Sequence, residues 1–215
     1  MSFDFTATPD FTATADPTAS QRDVCVVTLG GALAAGAGDP KNQGWVTRVM
    51  ARTSAEDLRL TAYNLAVVGD TSTQVLLRST TEAPARWGAH ADSRLIVSVG
   101  LEDARQGISI ARHRLNLANV LDSATNAGIG AFVVGPAPTG ESGLDDGLQH
   151  YAQAQADVCD RRGLPFVECL APLRNHDQWL TDVMSGGGLP AQAGYGLIAW
   201  LVLNNGWRSF MGIDG

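Results

Sequence analysis

The sequence predicts an α/β domain built on a five-stranded parallel sheet with helices on both faces. Three observations predict it. Short apolar runs rich in β-branched residues end abruptly at glycine or proline, as Val24–Leu29 does at Gly30-Gly31 and Leu95–Val99 does at Gly100. Between these runs lie longer stretches with apolar residues at helical spacing. Most of the runs are apolar on both faces, as strands covered by helices on either side must be, while Leu58–Val67 alternates and is apolar.

Each element has its own reason. Val24–Leu29 is the first strand, and the small residues from Gly30 to Pro40 read as a loop. Gly44 to about Ser54 is a helix with Trp45, Val49 and Met50 near one face. Leu58–Val67 is the second strand. Gly69-Asp70-Thr71-Ser72 turns the chain, and Thr71 or Ser72 caps a helix over Gln74–Ser79. Arg94–Gly100 is the third strand and Ile108–Ala127 a long helix. Gly130–Gly135 is the fourth strand, stopped by Pro136 and Pro138. Leu144–Arg162 is a helix and Pro165–Cys169 the fifth strand. A short helix near Gln178–Met184 leads to Ser185-Gly186-Gly187-Gly188-Leu189-Pro190, and Gln192–Leu203 is the last helix. Five such strands make a three-layer, doubly wound sandwich of flavodoxin-like type, whose site lies at the carboxyl ends of the strands. Residues 1–22 form an arm, 23–205 the domain and 206–215 a tail. The arm repeats Asp-Phe-Thr-Ala-Thr at Asp4 and at Asp10, and Phe5 and Phe11 are candidate anchors on this or a neighbouring subunit. Trp207 and Phe210 make the tail a second candidate interface.

Composition excludes several roles. A net charge of −7 argues against nucleic acid and anionic membranes as partners. No apolar run is long enough to span a bilayer, and no leader pattern opens the chain, so a cytoplasmic protein is expected. Cys25, Cys159 and Cys169 have no metal-ligand spacing and read as buried, reduced thiols. Asp39, Asp70, Glu102 and Asp103 lack a histidine at ligand spacing, and no phosphate-binding lysine loop is present. No metal or cofactor is therefore expected. The bias toward Ala, Gly and Arg suits a GC-rich bacterial genome.

Four blocks in order resemble the GDSL/SGNH hydrolases over residues 23–203. They are Gly30-Gly31-Ala32-Leu33, the stretch Tyr63 to Ser72, Val99-Gly100-Leu101-Glu102-Asp103, and Gly186-Gly187-Gly188-Leu189-Pro190. The resemblance implies the SGNH-type sandwich and an ester-hydrolase site, but the chemistry-bearing positions depart from the family pattern. The nucleophilic serine is Ala32 and the aspartate before it is Gly31. The oxyanion-hole asparagine is Glu102. The triad aspartate and histidine are Gly186 and Leu189. Gly69, which the resemblance makes an oxyanion N–H donor, is retained.

A methyl group at position 32 cannot attack a carbonyl, and Leu189 cannot carry a proton. An ionised Glu102 accepts hydrogen bonds where the reaction needs a donor. Gly, Ala and Leu in place of polar groups predict a drier, roomier pocket for an apolar small molecule, lined by Gly31, Ala32, Gly69 and Leu189. Glu102 and Asp103 are the candidate acid and base there, since a carboxyl in an apolar pocket titrates high. Asp103 also has a structural reading, and Glu102 has one as the ion-pair partner of Arg105. His113, about a turn into the long helix after the third strand, has two readings: a surface residue, which is favoured, and a group that reaches the pocket. Three functions follow. The first is a repurposed acid/base enzyme, such as a cyclase, lyase or isomerase of specialised metabolism, favoured by the introduced acid. The second is a pseudoenzyme that binds or scaffolds. The third is hydrolysis by carboxylate-activated water. Oligomeric state is left open.

Overall fold

The computed structural model describes residues 21–88 and 90–213. Apart from its last two residues, the N-terminal arm lies outside them, and so does its repeat. The strands are β1 (Arg22–Gly30), β2 (Leu58–Asn64), β3 (Asp92–Ser98), β4 (Gly130–Val134) and β5 (Phe166–Val167). They form one parallel sheet in the order β2-β1-β3-β4-β5. The order reverses between β1 and β3. The carboxyl ends of that pair therefore open onto a crevice that connecting helices, leaving in opposite directions, cannot fill.

Alternation along the strands divides the core in two. Val24, Val26, Ile96, Phe132 and Val134 face one layer. It contains α2 (Gly44–Met50), α9 (Asp177–Ser185) and α10 (Gln192–Asn204). Cys25, Val27, Leu29, Leu95, Val97 and Val133 face the other. That layer holds α3 (Ser72–Ser79), α4 (Glu82–Trp87), α6 (Ile110–Asn126) and the end of α7 (Ser142–Asp160). Thr71 caps α3 in a reciprocal box with Gln74, which satisfies two N–H groups the helix leaves unpaired.

The structure corrects the sequence reading at several points. Part of the expected Gly30–Pro40 loop is a single helical turn, α1 (Ala32–Ala35), closed by Gly36 in the left-handed region. Turns at α5 (Leu101–Arg105) and α8 (Leu170–Leu173), and the whole of α4, are too short to show a helical period in sequence. The fifth strand spans two residues, and Cys169 lies beyond it. The expected tail forms α11 (Trp207–Met211), and Trp207 is fully buried rather than available to a partner. Its ring meets Phe132 edge-on at 5.4 Å, and its Nε1 donates to Thr53 Oγ1 at 2.8 Å. All three cysteines are buried free thiols. Burial pushes the Cys159 thiol up to about 12, so it stays protonated and unreactive. Among the described residues, no helix is long and apolar enough to cross a membrane.

Candidate functional site

The crevice at the β1–β3 ends is built from backbone outward. Gly31 leaves β1 with its N–H donated to the Ser98 carbonyl of β3 at 3.2 Å, and Ala32 opens α1 behind it. Across the crevice α5 begins at Leu101, which places Glu102 and Asp103 in its first turn. Gly31, Ala32, Asp70, Ser98 and Glu102 line the space with Pro136, and its volume is about 10 Å³. That is room for about one water molecule. The roomy apolar pocket expected from the loss of polar side chains is not what forms.

Two contacts explain the closure. A Cβ on Gly31 would stand 3.0 Å from the Asp70 carbonyl oxygen and 3.4 Å from Glu102 Cγ. The Glu102 side chain thus covers the face that a larger residue at 31 would need. It is 11% exposed, and its Oε1 lies 3.5 Å from Arg105 Nη1. The ion-pair reading of Glu102 and its place in the cavity wall both hold in the geometry.

The other expected site residues lie apart from that cavity. Gly69 is exposed at the β2–α3 turn, with φ +93° and open space where a Cβ would be. Its carbonyl accepts from Gln106 Nε2 at 3.0 Å. Leu189 is half-buried, packed on the core with α9 and α10 and close to Gly38. The glycine loop before it is tightly bonded: Gly188 N–H donates to Val183 at 2.8 Å and Gly186 N–H to Asp182 at 2.9 Å. A Cβ on Gly186 would fall 2.3 Å from the Leu189 carbonyl oxygen, a distance no side chain tolerates. The backbone itself has settled into a path closed to an aspartate at 186. Arg105 reaches toward this loop, 3.3 Å from where a Gly188 Cβ would be.

Asp103 faces the opposite way, into the interior, and is fully buried. Its Oδ2 accepts from the Ser72 N–H at 2.9 Å and its Oδ1 from Ser72 Oγ at 2.5 Å. Asn116 Nδ2 donates to both Ser72 Oγ and Thr73 Oγ1 at 3.0 Å. His113 is also fully buried, which corrects its surface placement, and its Nδ1 lies 3.0 Å from Asp103 Oδ1. That N–H is poorly aligned for a strong hydrogen bond, so the attraction is chiefly electrostatic. Gln155 Nε2 donates to the Val99 carbonyl at 2.9 Å and to His113 Nε2 at 3.1 Å. This fixes the imidazole proton on Nδ1, facing the carboxylate. Burial pushes the Asp103 carboxyl up, but contacts from His113 and Ser72 outweigh it and hold the carboxyl below the usual aspartate range.

A serine, an aspartate and a histidine therefore do meet, in an order that does not serve acyl transfer. The carboxylate stands in the middle, so the imidazole has no path to the serine proton. Ser72 and His113 are sealed from solvent. His113 and Asn116 were missed by sequence reading, although both fall on the stripe of α6 that carries Leu117, Val120, Leu121 and Ala124. Polar residues at core spacing are the signal that could have found them. Among the described residues no group of three or more His, Cys, Asp or Glu side chains could hold a metal ion.

Fold and crevice together define a three-layer α/β sandwich with its site at the β1–β3 switch point. Residues 28–197 match the GDSL-like Lipase/Acylhydrolase family, and the chain belongs to that family. No curated protein is similar to it in sequence. Three solved structures share the fold. The crystal structure of TesA is 20% identical, covering 83% of this chain and 96% of that one at a TM-score of 0.68. A lipolytic G-D-S-L family protein from Veillonella parvula DSM 2008 is 18% identical over 84% and 96%, with a TM-score of 0.70. Axe2, an acetylxylan esterase from Geobacillus stearothermophilus, is 12% identical over 86% and 94%, with a TM-score of 0.72.

Proposed function

We propose that this chain is a pseudoenzyme of the family, a binding or scaffold protein that keeps the sandwich without the ester-hydrolase triad. The observation that carries this reading is the filled crevice. The methyl group of Ala32, which opens α1 just beyond β1, lines a cavity of about 10 Å³ walled by the Glu102 side chain. Acyl transfer needs a nucleophile, a base and donors for the oxyanion. Position 32 supplies none of the first, Leu189 none of the second, and Glu102 offers acceptors where donors are needed. Loss of a whole triad lowers turnover by on the order of 10⁶. The crowding at Gly31 and Gly186 supports a loss that has been accommodated in the backbone, beyond an exchange of side chains.

The test is turnover of short-chain p-nitrophenyl esters. The chain should match the buffer rate, and Ala32→Ser should too, because no imidazole reaches that position. Turnover above buffer in the unmodified chain would overturn the proposal.

One observation favours a second reading, in which Glu102 acts as acid or base on a small molecule: its side chain is only 11% exposed and lies in the cavity wall. Asp103 then positions α5 and takes no proton, since its oxygens are already engaged. Turnover of any small substrate lost in Glu102→Gln, with an unchanged melting temperature, would establish this reading over the first.

A further inference from the structure

The helix α10 has no polar face. Its 13 residues, Gln192–Asn204, include no charged side chain. Tyr195, Ile198 and Val202 point into the core. Outward lie Ala193, Gly196 and Leu203, with Trp200 61% exposed. A helix apolar on all sides is normally covered on all sides. Beside it runs α2, and the crevice between the two holds about 150 Å³ against Arg48, Arg52, Trp200 and Leu203. A second crevice, of about 260 Å³, continues past the same two arginines toward Thr47 and Ala51.

The arginines have donors to spare. Arg48 Nη2 holds Asp39 at 3.0 Å, yet its Nε is buried with no acceptor among the described residues. A buried donor left unpaired is costly, which points to an acceptor that completes the groove. Arg52 is exposed, and among the described residues its guanidinium donates only to the Arg48 carbonyl, at 3.1 Å. The groove therefore asks for a ligand with both aromatic and anionic groups.

Residues 1–20 have that chemistry. They carry Asp4, Asp10, Asp16, Phe3, Phe5 and Phe11, with no lysine or arginine. The chain enters the fold at the same end as the groove. The Arg22 N–H donates to the Asp57 carbonyl at 2.7 Å, and its guanidinium to the Met211 and Gly212 carbonyls at 3.3 and 3.1 Å. Those carbonyls close α11, whose Trp207 bonds Thr53, the residue after Arg52. The helix α11 thus links the root of the arm to the end of α2 that borders the groove. The ten residues from Phe11 to Gln21 reach up to ~33 Å when extended, and α10 is ~20 Å long.

We propose that residues 1–20 of the same chain occupy the α2–α10 groove, phenylalanine against Trp200 and Leu203 and aspartate against Arg48 and Arg52. The Asp-Phe repeat sets one charged and one aromatic group side by side in each unit, matching arginines that border apolar crevices. Acrylamide quenching of tryptophan fluorescence in the full chain tests this. Trp45, Trp179 and Trp207 are fully buried and Trp87 half-buried, so Trp200 dominates the quenchable signal. Phe5→Ala/Phe11→Ala should raise quenching several-fold, Arg52→Glu should raise it too, and added salt should raise it in part. Trp200→Phe should abolish these differences, and none should depend on protein concentration. The proposal is overturned if the unmodified chain is as quenchable as the double variant. It is overturned equally if protection survives that variant and grows with concentration, which assigns the groove to a second copy. Protection lost in the variant but dependent on concentration overturns it as well, assigning the groove to a neighbour's arm.

Discussion

Glu102 and Asp103 are adjacent in sequence and share one turn of α5, yet they serve opposite surroundings. Glu102 turns to the β1–β3 crevice, where its one charged partner among the described residues is Arg105 at 3.5 Å. Asp103 turns inward, where Ser72, at the start of α3, and His113 engage its oxygens. At the crevice, position 31 is glycine and position 32 alanine, whereas the interior around Asp103 brings serine, aspartate and histidine together. The difference lies in the cost of change. A residue facing a rim can become alanine or leucine with little penalty, whereas removing one member of a sealed polar cluster strands its partners without water.

The sharpest way to break that comparison is Asp103→Ala. It leaves the Ser72 N–H, the Ser72 hydroxyl and the His113 N–H facing a void, and should cost about 3–5 kcal/mol of unfolding free energy in urea titrations. A loss under about 1 kcal/mol would show that the interior cluster holds nothing. Acid should expose the same asymmetry. The folded-state Asp103 carboxyl titrates below its ordinary value near 3.9. Its ionisation therefore stabilises the fold fully above the ordinary range, and the contribution fades as pH falls through the lower folded value. The gap in urea midpoint between the unmodified chain and Asp103→Asn should narrow on acidification from pH 7 toward 3.

Next in size is Gly186→Asp. Its Cβ would meet the Leu189 carbonyl oxygen at 2.3 Å, so the loop must move. The expected cost is about 1–3 kcal/mol, read as a lower melting temperature. The triple change Ala32→Ser/Gly186→Asp/Leu189→His should stay inactive on short-chain esters for the same reason. Recovery of turnover there would show that the backbone still admits the triad.

The centre of the sheet was legible because β1, β3 and β4 are apolar runs stopped by glycine, a pattern set by burial on both faces, while the edge strand β2 is half-exposed and mixed. The long helices were legible from their spacing, and the α3 cap as one of Thr71 or Ser72. One-turn elements such as α1 and α5 were not, because four or five residues carry no period and tertiary contacts decide them. Of the residues expected to line one pocket, Gly31, Ala32 and Glu102 meet at the crevice and Gly69 and Leu189 do not, and its small size was not legible. Ala32 and Gly31 in place of larger polar residues imply empty space only if neighbours hold still, and Glu102 did not leave the space empty. The direction of Asp103 followed from no local signal. It depends on His113 and Asn116 lying on the apolar stripe of a helix distant in sequence, where a sequence reader expects leucine.

The smallest expected effect sits at Arg105. Its guanidinium is partly exposed and meets Glu102 at a long 3.5 Å, so Arg105→Ala should change stability by no more than about 0–1 kcal/mol. The value of the variant is geometric. Arg105 stands between Glu102 and the glycine loop at Gly188. If the pair holds the Glu102 side chain over Gly31, releasing it should enlarge the 10 Å³ crevice without unfolding the chain. A hydrophobic dye or a short-chain alcohol should then bind where the unmodified chain binds none. Unchanged binding in Arg105→Ala, alongside new binding in Glu102→Ala, would place the closure in the glutamate alone. The rim would then owe its filled state to one substituted side chain, as the interior owes its order to Asp103.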